Sequence, residues 1–227
     1  MNERQQYVAF GGLSLAAAVL TGLLLLFPGG ARLFAPYFGT IPPLLAIAIT
    51  TALGFVSLGF LLSRGWFQIR AANTLRGVGV AAAVATIFGI WQACADLFVT
   101  RFPKDINVPA PQSLLFYPAI GYVVEVLFHA LPLAVLLFIV ARVPEQRRPN
   151  TAALIWLCIV LVAALEPILV HMRMGASAYV GSFVFVFTLV ELDMFRRYDF
   201  VSMYAFRLVF YLWWHITWGY LRIRWLF

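Results

Sequence analysis

Residues 122–133 read YVVEVLFHALPL. Glu125 and His129 interrupt an otherwise apolar run, and a spacing of four puts both on one face of a helix. What that face does depends on the solvent around the helix. The run extends from Leu114 to Val140, long enough to cross the hydrocarbon of a bilayer. An acid and an imidazole inside such a span are costly, so each requires a partner.

The rest of the chain makes the same demand. Of its 227 residues, 63% are hydrophobic and 11% charged, against about 25% charged in soluble domains. Mean hydropathy is +0.93. The composition predicts an all-α, polytopic integral membrane protein, a helical bundle with about seven transmembrane helices. The spans are read at Tyr7–Phe27, Leu44–Leu62, Val78–Val99, Leu114–Val140, Ala152–Met172, Tyr179–Met194 and Phe200–Leu221. The first is read as retained rather than cleaved. Strand alternation is absent, and a backbone in lipid must satisfy its own hydrogen bonds. We expect one membrane domain over 1–227, with three spans in 1–112 and a four-span core in 113–227.

The net charge is +7, but the arginines sit in short clusters between apolar runs. That pattern speaks for contact with the headgroups of the lipid bilayer and against nucleic acid. Arg4 and the loops after spans two, four and six carry nine Lys/Arg, and the other side carries six. The imbalance places the N-terminus in the cytoplasm. Cys94 and Cys158 lie in apolar runs and suggest neither a disulfide framework nor a metal spacing.

The ionisable residues inside spans are few. Glu125 and His129 lie in span four, and Glu166 and His171 in span five. Arg207 and His215 lie in span seven. At 1.5 Å per residue, Glu125 falls roughly 16 Å below the outer face, His129 roughly 22 Å, and Glu166 and His215 each roughly 9 Å. Glu125, Glu166 and His215 are thus expected to converge in one leaflet under His171. His171, beside Met172 and Arg173, also reads as a simple interfacial histidine. Arg207 either snorkels or pairs with a buried acid; we expect the pair. Glu191 and Asp193, beside Arg196 and Arg197, read as an interfacial charge cluster, and Arg222 and Arg224 as a frayed end. Pro132 and Pro167 each follow a buried acid and are expected to loosen the helix there.

The order of these elements resembles the CPBP family, intramembrane peptidases of the CAAX-protease and bacteriocin-processing type. Their pattern is EExxxR in one helix, FxxxH in the next and HxxxN in a later one. Here VEVLFH, Val124 to His129, stands at the first motif, with Glu125 matching the second glutamate, Val124 replacing the first and His129 replacing the arginine. PILVH, Pro167 to His171, stands at the second, and His215 with Gly219 at the third, where the family has asparagine. The resemblance covers the C-terminal half. It implies a glutamate/histidine-dependent protease with Glu125, His171 and His215 as catalytic groups; His129, Glu166 and Arg207 are read beside them as supporting residues from their places in the spans. The substrate would be a membrane-anchored peptide.

The residues leave other readings open. A non-catalytic membrane protein of the same fold would serve as scaffold or assembly subunit for a membrane-protein partner. His215 within FYLWWHITW could ligate a tetrapyrrole through one ring nitrogen. A transporter ranks last, since no inverted repeat shows. Glutamate and histidine are zinc ligands, but no HExxH occurs, and no metal or cofactor is assigned.

Overall fold

The computed structural model describes residues 2–142, 151–174 and 177–227, and of residues 170, 171, 173 and 174 the backbone alone. It is all-α, with no strand among the described residues. The helices are α1 (Glu3–Leu25), α2 (Pro43–Ser63), α3 (Thr74–Phe98), α4 (Gln112–Ala141), α5 (Thr151–Ala163), α6 (Leu165–Met174), α7 (Ala178–Arg197) and α8 (200–225). Among the described residues, six helical stretches are long and apolar enough to cross a membrane: α1, α2, α3, α4, the α5–α6 pair and α7. Leu15, Val56 and Ile87 illustrate the outward faces, each more than 60% exposed, which in water would be untenable in such numbers and in lipid is the norm. The chain is a multi-pass helical membrane bundle.

The seventh expected span is α8, which is longer but carries Arg207 and His215. Its crossing follows from its ends. The amides of Phe200 and Val201 bond to the carbonyls of Gln68 and Ile69, just before α3 begins. Arg222 bonds to Asp96 and Phe102, where α3 ends. Helix α8 therefore runs parallel to α3 over the same depth. Its start is fixed by Asp199, buried, whose carboxylate accepts the Ser202 and Ala71 amides and the Thr74 hydroxyl. An Asp at the N-cap satisfies helix amides that have no other partner.

Helix α3 meets α8 through a stripe of small residues, Gly77, Ala81, Ala85 and Gly89, spaced by four. Lipid gives helices no hydrophobic reason to pair, so close backbone approach supplies the contact. At Gly89 an added Cβ would lie 2.4 Å from Trp213 Cβ. We expect Gly89→Ala to lower stability by about 1–3 kcal/mol, read as a drop in thermal midpoint in detergent. Gly79→Ala, where nothing lies within 4 Å, is the control and should leave it unchanged.

The other half of the bundle is built on α1, α2 and α4. Tyr122 of α4, fully buried, bonds Ser14 of α1 at 2.7 Å and Thr51 of α2 at 3.1 Å. After α1 two short turns, Gly30–Phe34 and Ala35–Phe38, fold back over the end of α4, with Phe34 and Tyr37 against Phe116.

Two helices are not regular. Glu125–Ala130 in α4 and Leu212–Trp218 in α8 are π-helical, the wide turn that inserts one extra residue and often marks a functional site. Pro132 lies just past the first wide turn, as a loosened helix requires. Pro167 acts differently from the expected kink. The helix breaks at Ala164, and Pro167 sits in the first turn of α6, where its missing N–H costs nothing. The break puts Glu166 at a helix N-terminus, which favours negative charge.

Candidate functional site

Each of α4, α6, α7 and α8 contributes to one buried charge network. Arg207, 2% exposed, is its hub. Its Nε donates to Glu125 Oε1 at 2.6 Å, and its Nη2 to Glu191 Oε2 at 2.6 Å and Glu166 Oε2 at 3.2 Å. Its Nη1 donates to the Tyr211 hydroxyl at 3.1 Å. His129 donates through Nδ1 to Glu125 Oε2 at 2.9 Å, and its Nε2 lies 3.3 Å from Glu166 Oε2 without hydrogen-bond alignment. Thr188 donates to the same Glu166 oxygen at 3.2 Å. Arginine suits the hub because its rigid fork presents several donors and keeps its charge.

Beside this network is a chamber of about 460 Å³. Glu166, Tyr211 and His215 line one part of it, Tyr117, Ile120 and Phe128 another, and Arg32 and Asp105 are also on its wall. The Glu166 side chain is 22% exposed. Its Oε2 takes all the bonds named above, and among the described residues none falls on Oε1. His215 is stacked on Tyr117 with ring centres 4.4 Å apart. Tyr211 accepts from Arg207, which leaves its own hydroxyl proton free to donate.

The expected residues are thus mostly brought together, though not in the expected places. Glu125 and His129 are fully buried and do not line the chamber. Both Glu125 oxygens are engaged, so it holds the network instead of facing water. Arg207 pairs with acids and does not snorkel. Glu166, expected as a supporting residue, is the carboxylate that reaches the chamber, with His215 on the same wall. His171 lies on α6, five residues after Glu166, and its side chain is outside the described residues.

Two further expectations are corrected. Glu191 is fully buried on Arg207, while Asp193 alone forms the interfacial cluster with Arg196 and Arg197. Arg222 is not frayed: it is fully buried on Asp96. Finally, the place where the resemblance implies an asparagine is Gly219, and the space beside it is filled by Asn107, whose side-chain atoms lie 3.0–3.1 Å from where a Cβ would stand.

Glu125, His129 and Glu191 have ligand atoms within 4.8 Å of one another, a grouping able to hold a metal ion. The Arg207 guanidinium already donates to both of these carboxylates, so a divalent cation there would face a fixed positive charge. No protein-family model, curated protein or solved structure matches the chain.

Proposed function

We propose that the protein is an intramembrane hydrolase of the CPBP kind, cleaving a membrane-anchored peptide in the chamber beside Arg207, with Glu166 as the base. The observation that carries this reading is the Glu166 carboxylate: one oxygen is held by Arg207 and Thr188, none of the described residues bonds the other, and the residue lines a largely apolar chamber. In the reaction Glu166 Oε1 takes a proton from water, and the hydroxide oxygen adds to the peptide carbonyl carbon. His215 and the Tyr211 hydroxyl donate toward the developing oxyanion. The C–N bond then breaks, and the departing nitrogen takes the proton from Glu166. Glu125, His129 and Glu191 orient Arg207 and through it Glu166. The loop arginines support a cytoplasmic N-terminus, testable with reporter fusions.

The test is turnover of labelled, lipid-anchored peptides by the purified protein in nanodiscs. Turnover that vanishes in Glu166→Gln supports the reading. The complete enclosure of Glu125 favours a second reading, a non-catalytic bundle that binds a membrane-protein partner. Absence of turnover across varied peptides would move the assignment there. A visible absorption band in the purified protein, lost in His215→Phe, would instead make the chamber a tetrapyrrole site.

A further inference from the structure

A second buried network lies outside the site described so far. Asp96 of α3 is 1% exposed, and both its oxygens are taken. Oδ2 accepts from Arg222 Nε at 2.8 Å and Trp218 Nε1 at 2.9 Å, and Oδ1 from Arg222 Nη2 at 3.2 Å and the Phe102 amide at 3.0 Å. Arg222 also donates to the carbonyls of Phe102 at 2.7 Å and Pro103 at 2.8 Å. Its Nη1 has one further acceptor, Asn107 Oδ1 at 3.3 Å.

That contact determines the orientation of the Asn107 amide. A guanidinium only donates, so the atom facing it must be the oxygen. The amide nitrogen then faces α8, where it lies 3.4 Å from the carbonyl oxygens of Trp214 and His215 and 3.1 Å from His215 Nδ1. An amide nitrogen cannot accept, so His215 Nδ1 must. The ring therefore carries its proton on Nε2, for which the described residues offer no hydrogen-bond acceptor. Gly219 makes this possible, since any Cβ there would push the Asn107 amide away.

We propose that Asn107, oriented by the Asp96–Arg222 pair and seated on Gly219, is a positioning residue that holds His215 in the Nε2–H tautomer as a hydrogen-bond donor to a carbonyl oxygen in the chamber. The assignment of that ligand rests on the hydrolase reading; the tautomer itself does not. The arrangement needs no contact between Asn107 and substrate. It acts on chemistry through one ring nitrogen, in the way an orienting group selects the tautomer of a histidine donor or base.

The experiment is nitrogen-15 NMR of histidine-labelled protein in nanodiscs. The chain has three histidines, and His215→Phe identifies the signal of His215. We expect a bare Nδ1 and a protonated Nε2 in the wild type. In Asn107→Asp the new carboxylate oxygen accepts from Nδ1, so the proton should move to Nδ1. Gly219→Ala should shift the signal in the same direction by displacing the amide. Turnover should fall on the order of 10²–10³ in Asn107→Asp, as for the loss of an oxyanion donor, with KM little changed. With that signal assigned, a wild-type His215 protonated on Nδ1 overturns the proposal even if Asn107→Asp and Gly219→Ala both fail to fold. So does an unchanged tautomer in a folded Asn107→Asp. A tautomer shift without turnover in any protein would uphold the positioning role and sink the hydrolase reading instead.

Discussion

Replacing Arg207 with leucine is expected to produce the largest loss of stability of any single change, about 3–5 kcal/mol, seen as a collapse of folded yield and thermal midpoint in detergent. The substitution leaves Glu125, Glu166 and Glu191 facing one another, and among the described residues His129 is the one basic group left beside them, with the Thr188 hydroxyl on Glu166. The cost comes from uncompensated buried charge, not from lost packing, so it should be recoverable. Arg207→Leu combined with Glu125→Gln and Glu191→Gln should regain much of the loss, because the variants share one network and cannot be additive. Arg207→Lys should recover less, since a single ammonium cannot reproduce three differently directed donors. Full stability of Arg207→Leu would mean that the acids do not depend on it.

Replacing Glu166 with glutamine should cut peptide turnover by about 10²–10⁴, the range for loss of a general base, while the protein stays folded. Glutamine keeps the shape of Glu166 and can still accept from Thr188 and Arg207. Glu125→Gln should behave in the opposite way: a lower thermal midpoint and turnover within tenfold of wild type. The contrast follows from their surroundings. Glu125 is sealed with both oxygens bonded, whereas Glu166 is partly exposed on the chamber wall, with one oxygen that no described residue bonds. A dead Glu125→Gln beside an active Glu166→Gln would reverse the two roles.

The spans were readable because the length of an apolar run is a direct measure of membrane crossing. The meeting of Glu125, His129, Glu166 and Arg207 was readable because charges in hydrocarbon must find one another. The burial of Glu191 is legible in the period of α7, against the pull of the neighbouring arginines. Phe183, Phe187, Thr188, Glu191 and Phe195 form one buried stripe of α7, which Asp193 misses, but the arginines just beyond drew both acids toward the interface. Arg222 had a similar signal in the spacing Trp214, Trp218, Arg222 on α8. The two wide turns gave none, because a local insertion of one residue leaves no mark in an apolar sequence. Nor did Asn107. A loop residue has no period, and its partner His215 is 108 positions away. The distinction between Glu125 and Glu166 was out of reach for a related reason: depth can be counted along a helix, but access to a chamber depends on what every neighbouring helix leaves unfilled.

Both arginines that complete these networks belong to α8, whereas Asp96, Glu125, Glu166 and Glu191 all come from helices made before it. A ribosome delivers the chain from its N-terminal end, so four acids enter the membrane ahead of their counter-ions. The nascent bundle is incomplete in charge until α8 is inserted, and one late helix then locks two clusters at once. Translation that stops short of residue 207 yields helices with no guanidinium to close on, a species that a membrane quality-control protease can distinguish from the finished protein by its open acidic centre.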